Sequence, residues 1–130
     1  MWIHAVLIFV GGGLGCVCRW LIATFTHHCC GTGFPYGTLA VNAVGCFAAG
    51  MVVHTLGEHL EVRADHSALL VVGFLAGFTT FSTFGRETLE MMVDGHLARA
   101  ALNVLLMNTL CLGAVVAGYG IARAVWPVRV

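Results

Sequence analysis

Four apolar stretches, residues 2–25, 36–56, 67–92 and 98–125, take up most of the chain, and each is long enough to cross a lipid bilayer. A hydrocarbon core about 30 Å thick needs roughly 20 helical residues. Backbone polar groups in lipid must be satisfied internally, which restricts spanning segments to helices or closed barrels. The connecting segments, residues 27–35 and 57–66 and a short turn at Asp94 and Gly95, are where Asp, Glu and His can sit in water. Of the 130 residues, 59% are apolar and 9% charged, against about 25% charged in an ordinary soluble domain. These features predict an all-α integral membrane protein, one domain of four transmembrane helices over residues 1–130, with both termini on one side.

Charge excludes some functions and bears on orientation. Six Arg balance six Asp and Glu, and Lys is absent. No basic stripe exists to neutralise a phosphate backbone, so nucleic-acid binding has no electrostatic footing. Of the six cysteines, Cys16, Cys18, Cys46 and Cys111 lie in apolar runs, where cysteine behaves as a small hydrophobe and not as part of a disulfide framework. The first stretch has no positive leader and no small-residue cleavage motif, so it is expected to stay in place.

Arg63, Arg123 and Arg129 fall on the side of the termini, and Arg19, Arg86 and Arg99 on the other, three against three. A chain without an Arg bias can insert either way, and oppositely inserted copies pair about a two-fold axis in the membrane plane. Counting Arg19 and Arg86 as parts of the spans changes the tally to three against one. A reporter fused to Val130 that is seen on one side only would rule dual insertion out.

The third span departs from a plain lipid-facing helix. Residues 73–84 read GFLAGFTTFSTF, with hydroxyls at Thr79, Thr80, Ser82 and Thr83. Two arrangements account for them: a helix interrupted at membrane depth, whose freed carbonyls and N–H groups become ion sites, or an intact helix that uses its hydroxyls for bonds to neighbouring helices. Phe78, Phe81 and Phe84 recur at spacing three, one ridge on a helix. The ridge is suited to packing, or, through the positive ring edges, to lining an anion path.

Asn42 brings an amide into the second span, for an interhelical bond or for a pore wall. Arg19, about three-quarters along the first span, and Glu87, just after the hydroxyl cluster of the third, are ionisable residues within the spans and so functional candidates, and both also have the reach to snorkel to a headgroup. No Asp or Glu lies centrally in spans one, two or four to relay a proton. The glycines at positions 11, 12, 13 and 15, and those from Gly37 to Gly50, read as close-packing faces. His27, His28, Cys29 and Cys30 are adjacent and cannot all reach one tetrahedral ion. No nucleophile elbow, phosphate-cradling loop or HExxH motif is present, so the chain is not expected to be an enzyme.

Three segments together resemble the Fluc fluoride channel family, also called CrcB: GGGLG at 11–15 leading to Arg19-Trp20, GTLAVN at 37–42 with Gly45 and Gly50, and residues 73–84 followed by Glu87. The resemblance covers nearly the whole chain. It implies an antiparallel, dual-topology homodimer in a prokaryotic cell membrane, with two fluoride pores and a central, structural Na+ between two broken third helices. By motif position the backbone carbonyls of Ala76 and Thr79 would hold the Na+. Phe81 and Phe84 would be pore rings, Asn42 a donor on the path, Thr80 a hydroxyl beside it, and Arg19 a residue near the pore mouth. Thr38, Ser82, Thr83 and Glu87 are further pore or vestibule candidates, as are Asn108 and Thr109 in a fourth span that matches the family less closely. Position 76 carries Ala where the family usually has Gly; the implied ligand is a carbonyl, which a methyl group leaves in place.

The implied function is passive, selective export of fluoride, which limits its toxicity in the cytoplasm and needs neither ATP nor a proton carboxylate. Two other readings fit the length and composition: a small four-helix proton-coupled drug exporter, which requires a titrating carboxylate in span one, and a structural membrane protein whose polar residues only join helices. Fluoride flux separates all three.

Overall fold

The computed structural model describes residues 1–58 and 64–127. Four helical segments are long and apolar enough to cross a membrane: Trp2–Cys30, Tyr36–Thr55, Asp65–Val93 and Leu97–Val125. By element they are α1 (Trp2–Cys30), α2 (Tyr36–Glu58), a third span built from α3 (Ala64–Ser67), a π-helix (Ala68–Leu75), α4 (Ala76–Phe78) and α5 (Phe81–Val93), and finally α6 (Leu97–Val125). Every described element is helical.

The helices run further than hydropathy alone indicates. His27, His28, Cys29 and Cys30, expected in a loop, form the last turn of α1, because no breaking residue occurs before Gly31. At φ 78, Gly31 takes a backbone angle that glycine adopts freely. Asp65 and His66, also expected in a loop, are already helical. Arg63 and Arg129, both used in the charge tally, lie outside the described residues. The turn from α5 to α6 closes as a Schellman motif: Gly95 N–H donates to Met92 O at 3.1 Å and His96 N–H to Met91 O at 2.8 Å.

Two close helix pairs form the frame. In α2 and α6 a Cβ added at Gly50 would lie 2.1 Å from Val115 O, and one at Gly118 2.1 Å from Phe47 O. These backbones touch because there is no side chain between them. In the same way α1 lies against the third span, where a Cβ at Gly15 would meet Phe74 O at 2.3 Å. His54, buried near the end of α2, stacks edge-on with Tyr119 and makes a 2.9 Å hydrogen bond with Trp126 O, tying down the end of α6. The interior is small and partly polar: Val41, Phe84 and Met107 are buried together with Thr38, Asn42, Thr80 and Asn103. Large apolar side chains such as Trp2, Phe9, Phe25, Leu112 and Val116 point outward, as suits a bundle surrounded by lipid.

Candidate functional site

The helical path of the third span stops at Thr79 and Thr80. Thr79 has φ −81 and ψ 157, and Thr80 φ −151 and ψ 115, both extended. Thr79 ends the first limb itself: its N–H and its Oγ1 each donate to Leu75 O at 3.1 Å. Thr80 starts the second limb as the N-cap of α5, its Oγ1 accepting Thr83 N–H at 3.3 Å. The same hydroxyl donates to Thr83 Oγ1 at 3.0 Å and lies 3.3 Å from Ser82 Oγ. The hydroxyl cluster thus supplies both a stop signal and a start signal within four residues.

Asn42 holds the interruption open. Its Oδ1 accepts Thr80 N–H at 2.7 Å and its Nδ2 donates to Thr80 O at 2.9 Å, in buried surroundings. In a continuous α-helix Thr80 N–H would donate to Ala76 O; because it turns to Asn42, the Ala76 carbonyl loses that donor. Arg19 takes the neighbouring carbonyl, Nη1 donating to Thr79 O at 3.3 Å, while Nη2 donates to Cys16 Sγ at 3.4 Å. Arg19 therefore lies against the interruption itself.

Three cavities border α5. A groove of about 480 Å³ is walled by Asn42, Cys46, Phe81, Phe84, Met107 and Cys111, among others. A second cavity of about 270 Å³ is lined by Arg19, Trp20, Thr38, Thr80 and Thr83, so Thr80 has a side on each. A third, of about 280 Å³, lies among His27, Glu87, Glu90, Asp94, His96 and Arg99. Thr38 Oγ1 donates to Glu87 Oε1 at 2.9 Å and links the second cavity to the third. Glu87 Oε2 is buried without a hydrogen-bond partner among the described residues.

The three phenylalanines do not form one ridge. Phe78 precedes the interruption, is buried, and stacks on Phe74 at 5.8 Å and 9°. Phe81 and Phe84 follow it, with ring centroids 5.3 Å apart and planes tilted by 60°. Phe84 is buried, whereas Phe81 is 79% exposed on the open side of the groove. The uniform three-residue spacing hides two extended residues, Thr79 and Thr80, between the first ring and the second.

In α6 the inward stripe is Asn103, Met107 and Cys111, four residues apart and so on one face. Asn103 is fully buried and its Nδ2 donates to Thr88 Oγ1 at 2.9 Å. Met107 Sδ accepts from Asn42 Nδ2 at 3.4 Å and from Cys111 Sγ at 3.7 Å. Asn108 borders the groove, but its Nδ2 donates to Val104 O at 2.7 Å, and Thr109 Oγ1 donates to Leu105 O at 2.8 Å. Both are spent on their own helix and exposed. Met107 and Thr88 were not picked out from sequence; the four-residue spacing of polar and sulfur-bearing residues in the fourth span was the available signal.

As ligands for a cation, the interruption offers oxygen only, the donor type suited to a hard ion. Ala76 has φ −67 and ψ −33, an ordinary helical conformation that alanine adopts without strain. Its methyl group therefore leaves the carbonyl at position 76 available. Among the described residues no group of three or more His, Cys, Asp or Glu is placed to hold a metal ion.

The family model described as CrcB-like protein, Camphor Resistance (CrcB), matches residues 6–119. The chain belongs to this family. The "Fluoride-specific ion channel FluC" of Shewanella oneidensis is 44% identical over 115 residues, 88% of this chain and 92% of the relative. Proteins of the same name in Citrifermentans bemidjiense and in Geobacter sp. (strain M21) are each 40% identical over 119 residues, 92% of this chain and 96% of the relative. With these bacterial relatives and four helices able to cross a bilayer, the chain is a multi-pass prokaryotic membrane protein.

Proposed function

We propose that this chain is a fluoride-selective channel that lets fluoride leave the cell down its electrochemical gradient, working as an antiparallel homodimer and not as an enzyme. The observation that carries the reading is the pair of Asn42 Nδ2 contacts, one to Thr80 O at 2.9 Å and one to Met107 Sδ at 3.4 Å, beside the Phe81 and Phe84 rings. A thioether is a weak acceptor. The N–H on Met107 is therefore the one an incoming anion takes over, while the other keeps the backbone of Thr80 in position. Fluoride is small and strongly hydrated, and a path for it must replace water with donors without binding so tightly that the ion stays. A neutral amide, the Thr83 hydroxyl, which the Thr80 hydroxyl beside it orients, and positive ring edges meet that need. Thr38 and Glu87 stand where the second cavity meets the third, and Arg19 attracts anions beside the interruption.

The Ala76 and Thr79 carbonyls of two copies would supply four oxygens to a structural Na+ on the dimer axis. Bound there, the ion neutralises carbonyl dipoles and joins the two interruptions. Phe81, so exposed in one copy, supports a partner seated on that side of the groove. A proton-coupled drug exporter is not favoured: the first span carries no carboxylate, and the relatives are named for fluoride.

The test is fluoride efflux from Na+-loaded proteoliposomes, read with a fluoride electrode. Fluoride should leave in seconds to minutes while chloride stays. Protein that is folded, reconstituted and passes no fluoride overturns the proposal.

A further inference from the structure

Three sulfur-bearing residues line the groove. Met107 and Cys111 lie one turn apart on α6 with Sδ and Sγ at 3.7 Å. Cys46, on α2, lines the same groove, opposite α6. All three line the same groove, and both cysteines are free. With metal–sulfur bonds of about 2.3 Å, a trigonal set of sulfurs lies roughly 4 Å apart, close to the 3.7 Å between Met107 Sδ and Cys111 Sγ. We propose that Cys46, Cys111 and Met107 form a site for a soft, thiophilic divalent cation, and that an ion held there closes the groove.

The chemistry favours this class of ion. Sulfur ligands select soft cations over the hard ions that the carbonyls of the interruption suit. On binding, each thiol gives up one proton to solvent and forms one metal–sulfur bond, and Met107 adds a neutral third donor. Two thiolates cancel a divalent charge, so the complex is neutral in a wall that also contains Val71, Leu75 and Leu112. A neutral complex avoids the cost of a bare charge in apolar surroundings. Met107 Sδ is also the atom that accepts from Asn42, so an ion drawing on that sulfur sits directly beside the proposed donor to fluoride.

The binding half of the proposal stands on the sulfur positions; the closing half rests on the fluoride path proposed above. Cd2+ is the probe, titrated into reduced, detergent-solubilised full-length protein and followed by sulfur-to-metal charge-transfer absorbance and by released protons. Native protein should bind one Cd2+ at this site with release of two protons. Cys46→Ser or Cys111→Ser should each weaken that binding by roughly 10²–10⁴-fold, the gain expected of a second, intramolecular ligand. Met107→Leu, similar in volume, should weaken it less. Cys29→Ser and Cys30→Ser, at the exposed end of α1, should leave it unchanged.

Binding that survives Cys46→Ser and Cys111→Ser overturns the site. In proteoliposomes Cd2+ should stop fluoride efflux in native protein and spare it in Cys46→Ser. Cd2+ that binds with the two-thiol signature and leaves efflux untouched overturns the closing half. Native protein without efflux before any Cd2+ is added fails the fluoride reading alone, and the binding titration still decides the site.

Discussion

Asn42→Ala is the most informative single change, because one side chain holds both polar groups of the Thr80 backbone. The two bonds, at 2.7 and 2.9 Å, lie where Asn42 is 7% and Thr80 9% exposed. A buried backbone group left without a partner costs about 1–3 kcal/mol, so losing both costs about 2–6 kcal/mol. The chain has one local escape, which is to return Thr80 N–H to Ala76 O and continue the helix, closing the interruption. Either outcome removes the site, by melting or by straightening. At about 3–5 °C per kcal/mol for a chain of this size, the melting temperature of detergent-solubilised protein should fall by roughly 6–30 °C, or hold if the helix straightens. Fluoride efflux should be lost in both cases. Asn42→Ala protein that melts with the native protein and passes fluoride at the native rate would refute the clamp.

Phe81→Ile should slow efflux roughly threefold to tenfold, the equivalent of losing about 0.5–1.5 kcal/mol of ring-edge stabilisation. Yield and monodispersity should stay normal, since Phe81 is 79% exposed in one copy; an unchanged rate argues against the rings as part of the path. Gly50→Ala puts a Cβ 2.1 Å from Val115 O and should destabilise the α2–α6 pair by about 1–3 kcal/mol. It should reduce the yield of folded protein on size exclusion, whereas Gly113→Ala, with open space around it, should not.

The helical class and the number of spans were legible because hydropathy over about 20 residues is a strong signal of membrane depth. The ends of the helices were less so. His27 to Cys30 are polar enough to suggest a loop, yet nothing there breaks a helix until Gly31. The hydroxyls at 79–83 drew attention to the third span, but composition could not separate a cap from an interhelical bond. That distinction depends on Asn42, 38 residues earlier. Spacing misled at Phe78, where a period of three continues in sequence across a backbone that stops being helical. The π-helix of Ala68–Leu75, which packs on α1 at Gly11 and Gly15, left no mark in the residue pattern. In span four the obvious polar pair, Asn108 and Thr109, turned to its own helix, while the inward stripe included a methionine that reads as an ordinary hydrophobe.

The position of Arg19 explains how a site for a strongly hydrated anion can attract it and still release it. A guanidinium in the middle of the groove would hold fluoride by a full charge and stop conduction. Arg19 approaches instead from α1, on the other side of Thr80, and is anchored to the Thr79 carbonyl and the Cys16 sulfur. On the proposed path its charge raises the anion concentration near the interruption while the atoms proposed to meet the ion, Asn42 Nδ2 and the ring edges, are neutral. The same anchoring bears on the proposed Na+ site. Thr79 O has two lone pairs, and at 3.3 Å Arg19 makes a long bond to it, which leaves room for a second partner. Arg19→Lys tests this division of labour: a point charge without the planar fork loses the bond to Cys16 but keeps the attraction. Efflux should fall only severalfold in Arg19→Lys and much further in Arg19→Gln. Equal rates in the two variants would mean that Arg19 contributes geometry and no field.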